Sequence, residues 1–408
     1  MARPTHCMKP LRFMSLCTLT LCPFITLQEC KAVGFRVLNQ NADAVGRGNS
    51  FVATADNPSA IYYNPAGITQ IEDKQLQFGS YNLYFESDHR SVTGNKTDST
   101  DRLFAIPHFY VTYNPPEMPL AFGVGTYSPF GLGISWPNDS GFTSIITKAR
   151  IQYFTLSPVI AWEVLPNLSI AIGPTINYSA TQIKSTIGLT PGDEFSFDGT
   201  AWDFGFTAGL MWQPHPQWSF GFNYFSETSM DYDGDLGLKP FKDVQDSEGT
   251  LNYPSFLSFG ISYRPTPKWN IEFNVEYTDW DYLEDITILD PTGPDIGIPV
   301  EYTSGFMYKI GASYKFDNKI TLNIGYFYTE NNVEDIHFTP QVPDTDLHTL
   351  AIGIGYEYKN WYYSVTYQHI TGPWREVRGS TPSAIGESAD GDYQYTFHTL
   401  SISATVKF

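Results

Sequence analysis

The chain has 408 residues, with 43 acidic against 24 basic side chains, a formal charge of -19, and only 16% charged residues beside 16% aromatic ones. That acidity argues against a nucleic-acid partner, and past the N-terminus no run of about 18 apolar residues offers a transmembrane helix. Transmembrane strands escape that test because only alternate residues face lipid, and 33 Gly and 27 Tyr suit a chain of many strands and turns.

Residues 1–32 read as a signal peptide. Lys9 and Arg12 supply the basic start, Phe13 to Leu27 the apolar stretch, and Cys30-Lys31-Ala32 the small residues read by a signal peptidase, so cleavage is expected after about Ala32. Met8 makes a tidier start than Met1. Leu27-Gln28-Glu29-Cys30 is a poor lipoprotein box, and the apolar run is too short for an uncleaved anchor. All four cysteines (Cys7, Cys17, Cys22 and Cys30) precede the expected cleavage point, which leaves no disulfide framework and no thiol chemistry. The remaining chain carries a balance of -22 and is still acidic, which suits solubility of exposed loops.

Residues 33–73 contain no convincing strand. The stretch from Val33 to Gln70 is rich in Asn, Ala and Gly and closes on Asn64-Pro65-Ala66-Gly67. It is expected to be a plug, or hatch, folded inside whatever the rest of the chain builds. Pro65 fixes φ and lacks a donor, and Asn64 caps turns, so the pair predicts a rigid corner.

From Lys74 onward the chain alternates. Leu400, Ile402, Ala404, Val406 and Phe408 fall on one face, and Thr399, Ser401, Ser403, Thr405 and Lys407 on the other. Ile271, Phe273, Val275 and Tyr277 alternate with Asn270, Glu272, Asn274 and Glu276 in the same way. Period two with one greasy and one small polar face is the signature of a barrel strand with a wet or plugged lumen. Such segments fall at 74–87, 102–114, 117–127, 149–163, 166–184, 194–213, 216–235, 251–265, 267–289, 302–316, 318–330, 346–358, 360–377 and 391–408. The fold class is therefore all-β: a 14-stranded antiparallel transmembrane β-barrel over 74–408 with an N-terminal hatch in its lumen. Short turns (114–117, 165–167, 213–216, 264–267, 316–318 and 359–360) alternate with long polar stretches (185–194, 236–250, 290–301, 331–345 and 378–390). That is the layout of an outer-membrane barrel. Trp212, Trp218, Trp269, Trp280, Trp361 and Trp374 lie near strand ends, as interfacial girdles do. A terminal Phe408 closing an alternating strand resembles the sorting signal of such barrels.

Gly34-Phe35, Gly46-Arg47-Gly48, Ala53-Thr54-Ala55-Asp56-Asn57 and above all Tyr63-Asn64-Pro65-Ala66-Gly67 resemble the N-terminal hatch of the FadL/TodX-type transporters. Ser128-Pro129-Phe130-Gly131-Leu132 and Leu156-Ser157-Pro158-Val159-Ile160-Ala161-Trp162 are similar to further segments of that family. The resemblance spans the mature chain. It implies a bacterial outer-membrane channel, monomeric, that carries long-chain fatty acids or other hydrophobic molecules passively. Such a channel captures ligand at an extracellular groove, passes it beside the hatch and releases it sideways into outer-membrane lipid. Fatty acid and aromatic hydrocarbon are equally open at this point.

Within 128–148, the large residues Phe130, Leu132, Ile134, Trp136, Phe142, Ile145 and Ile146 read either as an exposed capture groove for an apolar ligand or as a cap packed on itself. Lys148 and Arg150 follow, either as contacts for a carboxylate head group or as ordinary rim charges. Phe35 is expected in the lumen, as ligand contact or plug core. Glu272, Glu276 and Glu357 fall on the lumen face, where Arg36, Arg47 or other lumen bases would pair with them and hold the plug, or water would hydrate them. Enzyme motifs such as Gly-x-Ser-x-Gly, His-Glu-x-x-His and the P-loop are absent, and the eight His have no metal spacing. No catalytic residue, metal or cofactor is expected. A general porin for small solutes and an outer-membrane adhesin are the alternative readings.

Overall fold

The computed structural model describes residues 34–408 apart from 101, 284 and 343, so the signal peptide and its cleavage point lie outside the described residues. Fourteen antiparallel strands close into one barrel. They are β1 (Lys74–Ser91), β2 (Leu103–Tyr113), β3 (Leu120–Tyr127), β4 (Lys148–Leu165), β5 (Leu168–Ser185) and β6 (Glu194–His215). Next come β7 (Trp218–Phe225, continued as Thr228–Lys239), β8 (Lys242–Tyr253, continued as Phe256–Tyr263) and β9 (Trp269–Thr278). The last five are β10 (Gly305–Lys315), β11 (Ile320–Thr329), β12 (Leu347–Tyr358), β13 (Trp361–Thr371) and β14 (Gly391–Lys407). β14 pairs with β1 from Gln75↔Lys407 to Ser91↔Gly391, which closes the ring.

Alternation sets the two faces. Leu350, Ile352, Ile354 and Ile172 point outward and are more than half exposed, as residues that meet lipid must be. The inward face is small and polar, and Gly34–Asp73 fills the space it encloses. Hatch backbone groups, which cannot reach water there, bond instead to inward side chains. Phe51 N donates to Asn274 Oδ1 at 2.9 Å, Ala53 N to Glu272 Oε1 at 2.8 Å, and Ser219 Oγ donates to Ala53 O at 2.6 Å. Asn323 Nδ2 donates to Asp43 Oδ1 at 2.7 Å and Thr366 Oγ1 to Ala42 O at 2.6 Å. Two wall glycines let the hatch backbone lie against the strands. A Cβ on Gly221 would sit 2.0 Å from Val52 O, and one on Gly325 2.0 Å from Gly48 N.

Three expectations change. Residues 236–250 are not a loop but the tops of β7 and β8, which pair up to Leu238↔Lys242. The ninth strand ends at Thr278 rather than 289, because the alternation breaks at Asp279-Trp280-Asp281; Asp285–Ile288 then forms a hairpin with Ile296–Pro299 above the barrel. Trp280 does not join a girdle: it turns inward and is fully buried, 4.9 Å from the Phe35 ring.

Candidate functional site

The hatch is pinned at its start. Arg36 Nη2 reaches Glu276 Oε1 at 2.6 Å, and Lys309 Nζ holds the other oxygen of that carboxylate at 2.8 Å. The Arg36 guanidinium also lies 3.4 Å from the centre of the Phe256 ring. Arg47 pairs within the hatch, to Asp43 at 2.7 Å, while Glu272 accepts hatch backbone. Glu357 departs from the expected pairing: it sits at a barrel end, just before the Lys359-Asn360 turn, and binds Lys315 at 2.6 Å.

Asn64 is the hatch corner. Its Oδ1 accepts from Ala66 N at 3.2 Å, and its Nδ2 donates to Val52 O at 2.8 Å and Leu210 O at 3.0 Å. Pro65 opens the 3-10 turn Pro65–Gln70, where a missing N–H costs nothing. Ala66 and Gly67 are buried beneath it, with Gly67 packed on the Ala55 carbonyl. None of the four touches the cavity described next.

The barrel wall is interrupted beside β3. Pairing between β2 and β3 runs from Tyr113↔Phe122 to Phe109↔Thr126 and stops. β3 ends at Tyr127, and Ser128-Pro129-Phe130 turns inward to the hatch. There Val37 N donates to Pro129 O at 2.8 Å and Gly131 N to Phe35 O at 3.0 Å. The chain then rejoins the wall as Gly131–Ser135, paired with the start of β4. Residues 103–108 of β2 are thus left facing the kink. Unpaired backbone in lipid is costly, and this edge carries Pro107, which has no N–H to leave unpaired. A bond from Thr100 N to Ser135 O, 2.8 Å, closes the opening above, and the Phe104 ring lies directly on Gly133, 2.2 Å from where a Cβ would stand.

A cavity of about 330 Å³ occupies this gap. Its walls include inward residues (Phe35, Leu38, Phe85, Ile106, Phe130 and Phe397) and outward ones (Leu103, Pro107, Arg150 and Phe154). Residues of both strand parities therefore line this cavity where the β2–β3 pairing stops. Its apolar residues from β11 to β14, Phe327, Leu347, Ile370 and Phe397, are missing from the sequence reading. The available signal was a departure from the small polar inner face at the extracellular ends of those strands.

The loop residues divide. Phe130 and Leu132 line the cavity, whereas Ile134, Trp136, Phe142 and Ile146 are buried in an extracellular cap, with Ile145 packed against it. Of the two readings of these residues, an exposed groove or a cap packed on itself, these four are placed as a cap, and two other loops cover them. Trp136 Nε1 donates to Pro340 O at 2.9 Å, and Ser144 N and Oγ each donate to Glu387 Oε2 at 2.7 Å. Phe35 is buried in an aromatic cluster with Phe130 at 6.2 Å, Tyr253 at 5.7 Å and Trp280 at 4.9 Å. Arg150 reaches the cavity from the outer face, and Lys148 stands half-buried two residues above it.

Comparison with known proteins agrees with this architecture. A family model described as outer membrane protein transport protein (OMPP1/FadL/TodX) matches residues 24–408. The long-chain fatty acid transport protein of Escherichia coli O6:H1 is 22% identical over 387 residues, covering 80% of this chain and 84% of that protein. A Pseudomonas aeruginosa FadL homologue superimposes with TM-score 0.82 at 17% identity, over 92% of this chain and 100% of the other. The Ralstonia pickettii toluene transporter TbuX gives TM-score 0.70 at 16% identity, over 91% and 100%.

Proposed function

This chain belongs to the OMPP1/FadL/TodX family of outer-membrane transport proteins, transporters of hydrophobic compounds rather than enzymes, and on that premise we propose how it works. A hydrophobic molecule, a long-chain fatty acid or a neutral hydrocarbon, passes beneath the extracellular cap into the cavity beside Phe35. It leaves sideways between β2 and the Ser128–Gly133 kink into outer-membrane lipid. The process is passive and uses no cofactor.

One observation carries this reading: the cavity is lined from both faces of the wall at the place where strand pairing stops. The physics favours such a route. Each methylene moved from hydrocarbon into water costs about 0.8 kcal/mol, so a sideways exit spares a long chain many such costs. The buried hatch supports a selective channel over a general porin, and a ring closed by β1 and β14 needs no second chain.

Filling the gap tests the exit. A double substitution, Ala105→Trp with Gly131→Val, narrows the opening from both sides and should abolish oleate uptake by cells carrying a correctly folded barrel. Unchanged uptake would place the exit elsewhere.

A further inference from the structure

The cavity is electrostatically unlike the chain around it. Acidic residues outnumber basic ones 43 to 24 overall, yet the charged residues lining the cavity are Arg36 and Arg150, with no carboxylate among them. Arg36 is consumed by Glu276, and its side chain is wholly buried. Arg150 is exposed and, among the described residues, its side chain makes no ion pair or hydrogen bond.

Its position follows from strand parity. Ile151 and Tyr153 point into the lumen, so Arg150, Gln152 and Phe154 point out of the barrel, on the lip of the opening. Phe154, Tyr178 and Trp202 are aligned across β4, β5 and β6, with the Tyr178 and Trp202 rings 4.9 Å apart. Aromatic rows of this kind mark the membrane interface. Arg150 lies four residues beyond that row, aligned with Gln182, which bonds Asp198 on β6. The level of Arg150 is thus polar and that of the cavity's body apolar.

We propose that Arg150, assisted by Gln152, is an anion site on the outer lip of the wall opening, where it holds the head group of a long-chain carboxylate whose tail occupies the cavity. It selects an ionised amphiphile over a neutral hydrocarbon, and it rests on the sideways exit proposed above. Charge-assisted hydrogen bonds are roughly twice as strong as neutral ones, and a hydrocarbon offers a guanidinium no hydrogen-bond acceptor. The same anionic oxygen chemistry is offered by phosphate groups of neighbouring membrane lipid, so the test must separate the two sources.

Uptake and binding of oleate and of oleyl alcohol are compared for the wild-type barrel, Arg150→Gln and Arg150→Lys, with folding checked by heat-modifiable gel mobility. Bound anionic lipid is measured by mass spectrometry. Arg150→Gln should weaken oleate binding about tenfold, the effect of one charge-assisted hydrogen bond, leave oleyl alcohol unchanged and be largely rescued by Arg150→Lys. Equal losses for acid and alcohol, or none for the acid, overturn the site. Loss of co-purified anionic lipid with intact oleate binding assigns Arg150 to the membrane and also overturns it. If the wild-type barrel takes up neither probe, the transport reading falls and this site with it; if wild type and variant take up both alike, the anion site alone falls.

Discussion

Arg36 on the hatch and Glu276 on β9 are joined across 2.6 Å in the middle of the lumen, and both side chains are buried. Lys309 shares the same carboxylate at 2.8 Å, so one acid serves two cations. Glu276→Gln should destabilise the folded barrel by about 3 kcal/mol or more, because removing one partner strands buried charge. It should also raise leak of hydrophilic solutes as the hatch start loosens. Urea unfolding and planar-bilayer conductance would check both; wild-type values in the two assays would show that the pair holds nothing in place.

The wall glycines predict a steric failure of the same element. Gly325→Val puts side-chain atoms where Gly48 N now stands, 2.0 Å from the Cβ position. Close-packed interiors do not absorb such an overlap. The barrel should assemble with its hatch unseated and conduct ions steadily. Deleting 34–70 should produce the same open channel, and a closed channel in either variant would mean that the hatch is not the seal.

Phe130 and Trp136 are six residues apart and serve different places. Phe130 lines the cavity, and Trp136 is in the cap. Phe130→Ala should weaken binding of a hydrophobic probe at equilibrium. Trp136→Ala removes a core side chain, at about 3–5 kcal/mol, together with its bond to Pro340 O. It should make the cap sensitive to protease and leave equilibrium binding closer to wild type. The reverse pattern would return the capture groove to the outer loop.

On the proposed route the cap parts before ligand reaches the cavity from outside. Ser144 Oγ and Ser383 Oγ are 2.7 Å apart, close enough to suggest a disulfide in their place. All four native cysteines lie within residues 1–30, so Ser144→Cys with Ser383→Cys offers a clean pair. Oxidation should slow uptake severalfold and reductant should restore it. Full uptake by the oxidised form would show that ligand arrives by another path.

Asp193 makes the loop before β6 pH-sensitive. Its carboxylate accepts from Thr190 N and Leu189 N at 2.7 Å and from Gly188 N and Ile187 N at 3.0 Å. These bonds, that of Thr190 foremost, hold its pKa below the ordinary 3.8. A depressed pKa means the stabilisation is present above the unfolded-state value and is lost as pH falls through the folded one. The loop touches the cap where Gly188 meets Ile385. Proteolysis within 186–193 should stay constant from about pH 7 to pH 5 and rise only below the ordinary carboxyl range, whereas Asp193→Asn should be cut readily at neutral pH. Equal resistance in the variant would remove the carboxylate from the account.

Much of this architecture was local and therefore legible. A strand facing lipid on one side and a lumen on the other has to alternate, and Leu350 to Tyr358 or Leu400 to Phe408 show that pattern without help from the rest of the chain. The hatch was visible because Val33–Gln70 fails to alternate, and its corner because Asn64-Pro65 restricts the backbone. The face that Arg150 takes, opposite Ile151, came only with the structure. What parity could not say was that the wall is missing beside it. The opening exists because β3 stops pairing with β2 at Thr126 and the hatch takes Phe130 as its partner, a choice among strand edges far apart in the chain. The covering of Trp136 by Pro340, the inward turn of Trp280 and the seating of Gly48 on Gly325 are likewise contacts between distant segments. Side-chain alternation is set residue by residue, whereas pairing register and loop packing are decided only when the barrel closes.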